Sequence, residues 1–220
     1  MTHTEFSAKA LTILVAFLIT FDILGLCANA YFESTAYPKD EPSVYDLWSI
    51  PCEDVQLHKV ENYLINNGWV KDGIDKDDLD YICCMANQLS QFYDDISPGL
   101  VMAMIAVESR FDKDCLSSAG ARGLMQLIPS YHEDRLIQFL DNDSRYSRDL
   151  FYEPRLSIMT GMDYLHERLA EAETNLPYAL MQYNQGPSSA YKSYVKKGIT
   201  SNYTTEIIEL SVELDGILAS

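Results

Sequence analysis

The chain has 220 residues, 47% of them hydrophobic, which suits one domain with a sizeable core plus a further segment and argues against global disorder. Sixteen basic side chains face thirty-three acidic ones, a formal charge of −17. That balance excludes a nucleic-acid binder working through a basic stripe, and it names no other partner by itself.

Residues 1–30 stand apart. "LTILVAFLITF" (11–21) is a continuous apolar run behind Lys9, and after Asp22 the chain reads "ILGLCANA", ending in Ala28-Asn29-Ala30. A short apolar core closed by A-x-A is the pattern of a secretory signal peptide. The competing reading is a retained membrane anchor, because apolar character continues to Ala28. A lipid-modified Cys27 fits less well, since the large Leu26 precedes it. Each of these readings exports the remainder. Residues 31–75 form the next segment. "STAYPKDEPSVYD" (34–46) has the composition of a linker, and Leu57, Val60 and Leu64 share one face of a short helix at about 54–66. "NNGWVKDG" is a turn. The expectation is therefore an acidic linker with a small helical appendage, ahead of a main domain over 76–220.

From residue 77 the periodicity is helical. Leu79, Ile82, Cys83, Ala86, Leu89 and Tyr93 form one stripe. Ser97 is a good N-cap and Pro98 a good first residue for a helix over 98–110. "DKDCLSSAGARG" (112–123) is loop, "GLMQLIP" is too short to classify, and 130–155 is polar and irregular. Helices are predicted over 156–173, with Ile158, Met162, Leu165 and Leu169 aligned, and over 177–185, stopped by Gly186-Pro187. "SSAYKSYVKK" makes a short helix. The last, at about 203–218, has Asn202 as its cap and Ile207, Leu210, Leu214 and Ile217 inward. The four cysteines after residue 30 (Cys52, Cys83, Cys84, Cys115) allow up to two disulfides in an exported chain. A vicinal pair does not readily bridge itself, so Cys83 and Cys84 would each look to Cys52 or Cys115, or Cys83 stays a buried thiol. His58, His132 and His166 are scattered and neither C-x-x-C nor H-E-x-x-H occurs, so no metal site is predicted.

One acid is oddly placed. In "SPGLVMAMIAVESRF" (97–111), Glu108 follows a long apolar run and shares a helix face with Met104 and Val101. A helix C-terminus favours cations, so a structural carboxylate is a poor choice there. An apolar wall instead raises a carboxyl pKa and keeps the acid protonated, as general acid catalysis requires. Downstream come Ser117, "GLMQ" at 123–126, "YNQGP" at 183–187 and "NY" at 202–203.

In this order and spacing the motifs resemble the catalytic domain of soluble lytic transglycosylases, whose fold is similar to goose-type lysozyme. "DLFYEPRLSIMTGMDYL" is similar to that family's approach to its third major helix, and the resemblance covers about 78–215. It implies a mainly α (α+β lysozyme-like) domain with a substrate cleft. It implies Glu108 as the catalytic acid, with the Tyr203 hydroxyl orienting it. Ser109, Ser117, Met125, Gln126, Tyr183 and Asn184 would meet the substrate, with Ser117 near the N-acetyl group and Met125 and Gln126 along the sugar groove. Departures occur at "PSYHEDR" (129–135), at Gln182 and Gln185, and at Ser157 where the family has Asn, so subsite detail is open. The implied reaction cleaves the β-1,4 bond between N-acetylmuramic acid and N-acetylglucosamine and leaves 1,6-anhydro ends, without cofactor or metal. Asp112 and Asp114 read as turn residues rather than a second catalytic acid, which favours substrate assistance over the two-carboxylate scheme. Alternatives are a lysozyme-type muramidase on the same scaffold, or a non-catalytic glycan-binding or assembly subunit. The implied partners are peptidoglycan strands, in the cell envelope or outside the cell, with membrane anchoring and secretion, conjugation or phage machinery left open.

Overall fold

A computed structural model describes residues 55–140, 145–197 and 201–220. The export segment, the linker over 31–54 and Cys52 lie outside them. Among the described residues there are eight α-helices and one 3-10 turn: α1 (Val55–Asn66), α2 (Lys76–Ser90), α3 (Pro98–Glu108), α4 (Pro129–Ile137), the 3-10 turn Arg148–Tyr152, α5 (Pro154–Glu171), α6 (Leu176–Gln185), α7 (Pro187–Lys197) and α8 (Asn202–Leu218). The domain is mainly α. Among the described residues its β content is two isolated bridges, Leu116 to Arg122 and Arg122 to Leu127. No described helix is long and apolar enough to cross a membrane.

α3 is the central element. Eight consecutive residues, Gly99 to Ala106, are buried, so this helix presents apolar surface on every side. Burial of each large side chain, such as Leu100, Met102 or Ile105, contributes about 1.5–3 kcal/mol. The predicted start holds: Ser97 Oγ accepts from Leu100 N at 3.1 Å, and Pro98 opens the first turn. α3 lies antiparallel along α8, with Gly99 against Asp215 at one end and Glu108 against Tyr203 at the other. Gly99 permits that approach, since a Cβ there would fall 2.4 Å from Asp215 Oδ1 and 2.7 Å from the Ser211 carbonyl.

α1, expected as part of an appendage, packs on α2 and α8 and buries Leu57, Val60 and Leu64. It belongs to the same compact unit, which runs over residues 51–220. Two further differences have local causes. α4 lies in the stretch that reads as irregular, because it buries only Pro129 and Leu136 and so carries almost no apolar stripe. α8 is capped by Ser201 rather than Asn202: Ser201 Oγ accepts from Thr204 N, and Thr204 Oγ1 accepts from Ser201 N, a reciprocal capping box. Cys84 is disulfide-bonded, whereas Cys83 and Cys115 are free thiols, so Cys84 pairs with neither of them.

Candidate active site

Glu108 closes α3. It is half-buried. Val101, Met104 and Ile105, the preceding residues on and beside its face, are fully buried. The Tyr203 hydroxyl, carried by the first turn of α8, donates to Glu108 Oε1 at 2.6 Å. Burial pushes the Glu108 carboxyl up to about 7, and the Tyr203 bond opposes part of that rise by stabilising the anion. Burial, together with the Glu108 charge, holds the Tyr203 phenol well above its ordinary value, so it remains a donor at any working pH.

The chain after Glu108 is held tightly. Arg110 and Phe111 both adopt left-handed backbone, at φ 54° and 63°, an uncommon conformation for non-glycine residues. The surroundings fix it. Arg110 Nη2 donates to the Gly68 and Val70 carbonyls at 3.0 and 3.1 Å, and the Arg110 carbonyl accepts from Lys71 N at 2.9 Å. Phe111 is buried in the core. Asp112 accepts from Lys71 Nζ at 2.5 Å and from Asp114 N at 3.2 Å, which makes it a turn and ion-pair residue.

The predicted substrate residues fall into distinct situations. Tyr183, on α6, is buried, and its hydroxyl donates to the Met125 carbonyl at 2.9 Å. Burial, then the Glu108 charge, raises its pKa, so Tyr183 and Tyr203 both stand in the field of the acid. Met125 differs from the expectation of a groove-lining side chain. It is fully buried and packs on Gly161 of α5, where a Cβ would lie 2.8 Å from the methionine side chain. Its contribution is to the floor beneath the loop, where Ser157 Oγ accepts from Met125 N at 3.3 Å. Gln126, at φ 47°, is half-buried, and its amide donates to the Cys115 and Gly123 carbonyls at 3.2 and 2.9 Å. Ser117 is half-buried in a turn where its Oγ accepts from Ala121 N at 3.0 Å. Ser109 is buried and donates back to the Ile105 carbonyl at 3.1 Å. Asn184 is exposed at the end of α6. Sequence reasoning missed Asp215 and Gly99, which set the register of α3 on α8 from the far end. A glycine directly behind an N-cap serine and proline was the available signal.

The arrangement joins one carboxyl, poised near neutrality, to one permanent phenol donor. Among the described residues, the His, Glu and Asp side chains close enough together to hold a cation are on α1 and α2, and Glu108 is not one of them.

Residues 86–205, more than half of the chain, match the family model of the transglycosylase SLT domain. The chain belongs to the SLT domain family. The matched stretch contains both Glu108 and Tyr203. Among solved structures, the SLT domain is similar to an inactive variant of the lytic transglycosylase Slt from Pseudomonas aeruginosa, at 18% identity and a TM-score of 0.55, covering 74% of this chain and 30% of that one. It is also similar to a 70-kDa soluble lytic transglycosylase in complex with bulgecin A, at 16% identity and a TM-score of 0.51, covering 76% of this chain and 31% of that one. At those identities the likeness concerns the fold. This chain spans about a third of the length of either.

Proposed function

We propose that this chain is an exported peptidoglycan lytic transglycosylase. It cleaves the β-1,4 bond between N-acetylmuramic acid and N-acetylglucosamine and leaves a 1,6-anhydromuramic end. The observation that carries the reading is the Tyr203–Glu108 bond of 2.6 Å on a carboxyl held at about 7. An ordinary glutamate, near ~4.3, would be ionised at neutral pH and unable to donate. A carboxyl near 7 is protonated in about half of the molecules there, and its conjugate base is strong enough to take a proton back.

The reaction then follows from one residue used twice. Neutral Glu108 gives its proton to the glycosidic oxygen as the bond breaks, and the sugar's own N-acetyl carbonyl stabilises the anomeric centre. Glu108, now a carboxylate, removes the proton from the same sugar's 6-hydroxyl, which closes on the anomeric carbon. Ring closure within one sugar has high effective concentration and consumes no water. Tyr203 holds Oε1 throughout and leaves the other carboxyl oxygen for the proton transfers. The commitment of Asp112 to Lys71 and to its own turn favours this one-acid scheme over a hydrolytic pair. In this proposal Ser117, Gln126 and Asn184 line the glycan path, and Tyr183 positions the Met125–Gln126 turn.

The test is digestion of purified peptidoglycan, with the products read by mass spectrometry. Anhydro-muropeptides, absent with Glu108→Gln, are the expected result. Products with reducing ends would assign a muramidase, and glycan binding without products would assign a binding subunit.

A further inference from the structure

A second group of reactive side chains lies on α1 and α2. His58 and Glu61 stand one turn apart on α1, and Asp80 is on α2. One donor atom from each lies within 4.8 Å of the others. Glu61 is only 4% exposed, on the face that also buries Leu57, Val60 and Leu64. Its Oε2 is 3.0 Å from His58 Nδ1. Asp80 Oδ1 is sealed from solvent and meets no hydrogen-bond donor. A carboxylate oxygen in that condition is costly unless a proton or a cation faces it.

We propose that His58, Glu61 and Asp80 bind a divalent transition-metal ion of the zinc class, which fastens α1 to α2. The donor set selects the class. One imidazole nitrogen and two carboxylate oxygens, completed by water, suit zinc, whereas calcium and magnesium take oxygen ligands. Ligands about 2.0–2.2 Å from a tetrahedral zinc are about 3.4 Å from one another. The His58–Glu61 spacing of 3.0 Å is already near that. The other donor pairs lie within 4.8 Å, and the His58 side chain, 54% exposed, has room to turn toward the two carboxylates. The ion needs a neutral imidazole and two carboxylates, so binding weakens as pH falls and protons compete for the ligands. All three residues precede residue 86, where the SLT match begins. The ion would tie α1 to α2 close to the disulfide-bonded Cys84.

The full chain, stripped with chelator, is titrated with zinc by calorimetry and with cobalt by visible absorption. One high-affinity equivalent is expected, with cobalt bands of a nitrogen- and oxygen-ligated ion and a melting temperature raised by roughly 5–10 °C at free zinc about 100-fold above Kd. Asp80→Asn and His58→Ala should each weaken that step by more than ~100-fold, beyond the effect of losing an outer partner. Both variants should melt like the stripped wild type in chelator, because His58 is largely exposed and Asn preserves the shape of Asp80. His166→Ala removes the other imidazole–carboxylate pair, with Asp95 at 3.0 Å, and should bind as wild type. Zinc binding that survives both Asp80→Asn and His58→Ala, or the lack of a saturable first equivalent in the wild type, overturns the proposal.

Discussion

The two ends of the α3–α8 pair hold the same kinds of group and put them to opposite uses. At one end Asp215 of α8 meets the start of α3. Its carboxylate accepts from Ser97 Oγ at 2.6 Å and from Gly99 N at 2.8 Å. At the other end Glu108 of α3 meets the start of α8, with one described hydrogen bond, from Tyr203. Asp215 sits at a helix N-terminus, where free N–H groups and the dipole favour an anion. Glu108 sits at a helix C-terminus, where the dipole opposes one, and apolar burial opposes it further. A carboxylate supplied with several donors fastens helices together. A carboxyl starved of them holds its proton to neutral pH and can hand it on. The difference lies in the number of donors and the helix end, not in the side chain.

The comparison breaks most visibly at Glu108. Glu108→Gln should lower muropeptide release by about 10²–10⁴-fold, the range for loss of a general acid, while glycan binding in a pull-down persists. Tyr203→Phe should cost about 10-fold in kcat. Because the phenol favours the charged form, its loss raises the Glu108 pKa above about 7. Activity that needs protonated Glu108 falls as pH rises through that pKa, so the alkaline limb of the pH–rate profile should move to higher pH in the variant.

Stability should divide the two ends in the reverse sense. Asp215→Asn should lower unfolding free energy by about 1–3 kcal/mol, the worth of charged hydrogen bonds, with release per folded molecule nearly intact. Gly99→Ala should cost a similar amount through overlap with Asp215 and the Ser211 carbonyl. Glu108 acts differently. Its folded pKa of about 7 lies above the unfolded value near 4.5, so its contribution is fully present below about 4.5 and lost as pH rises through about 7. The loss is on the order of 3 kcal/mol, and Glu108→Gln should flatten that part of the urea-denaturation pH profile. The smallest expected effect is Ser201→Ala, about 1 kcal/mol from the broken cap, with a modest fall in kcat as the turn bearing Tyr203 loosens.

Local signals carried most of the fold into the sequence. The Ser97-Pro98 start, the apolar run of α3 and the Gly186 stop are each decided within a few residues, and each element forms as read. Glu108 stood out because an acid behind seven apolar residues contradicts its surroundings. What stayed hidden was long-range. Asp215 reaches Ser97 across 118 positions, and nothing around Asp215 marks it as a partner. Met125 reads as a groove residue from its motif, yet a small residue on α5, Gly161, opens the hole that swallows it. The His58, Glu61 and Asp80 group joins two helices whose periodicity shows only their apolar faces.

The central claim is that Glu108 is held near neutrality by its position and restrained by Tyr203. Isotope-edited infrared or carbon NMR titration of the Glu108 carboxyl measures this directly, with Glu108→Gln used to assign the signal. A midpoint near 7 in the wild type, rising in Tyr203→Phe, is the predicted result. A midpoint near the ordinary carboxylate value of about 4.3, unmoved by Tyr203→Phe, would contradict it.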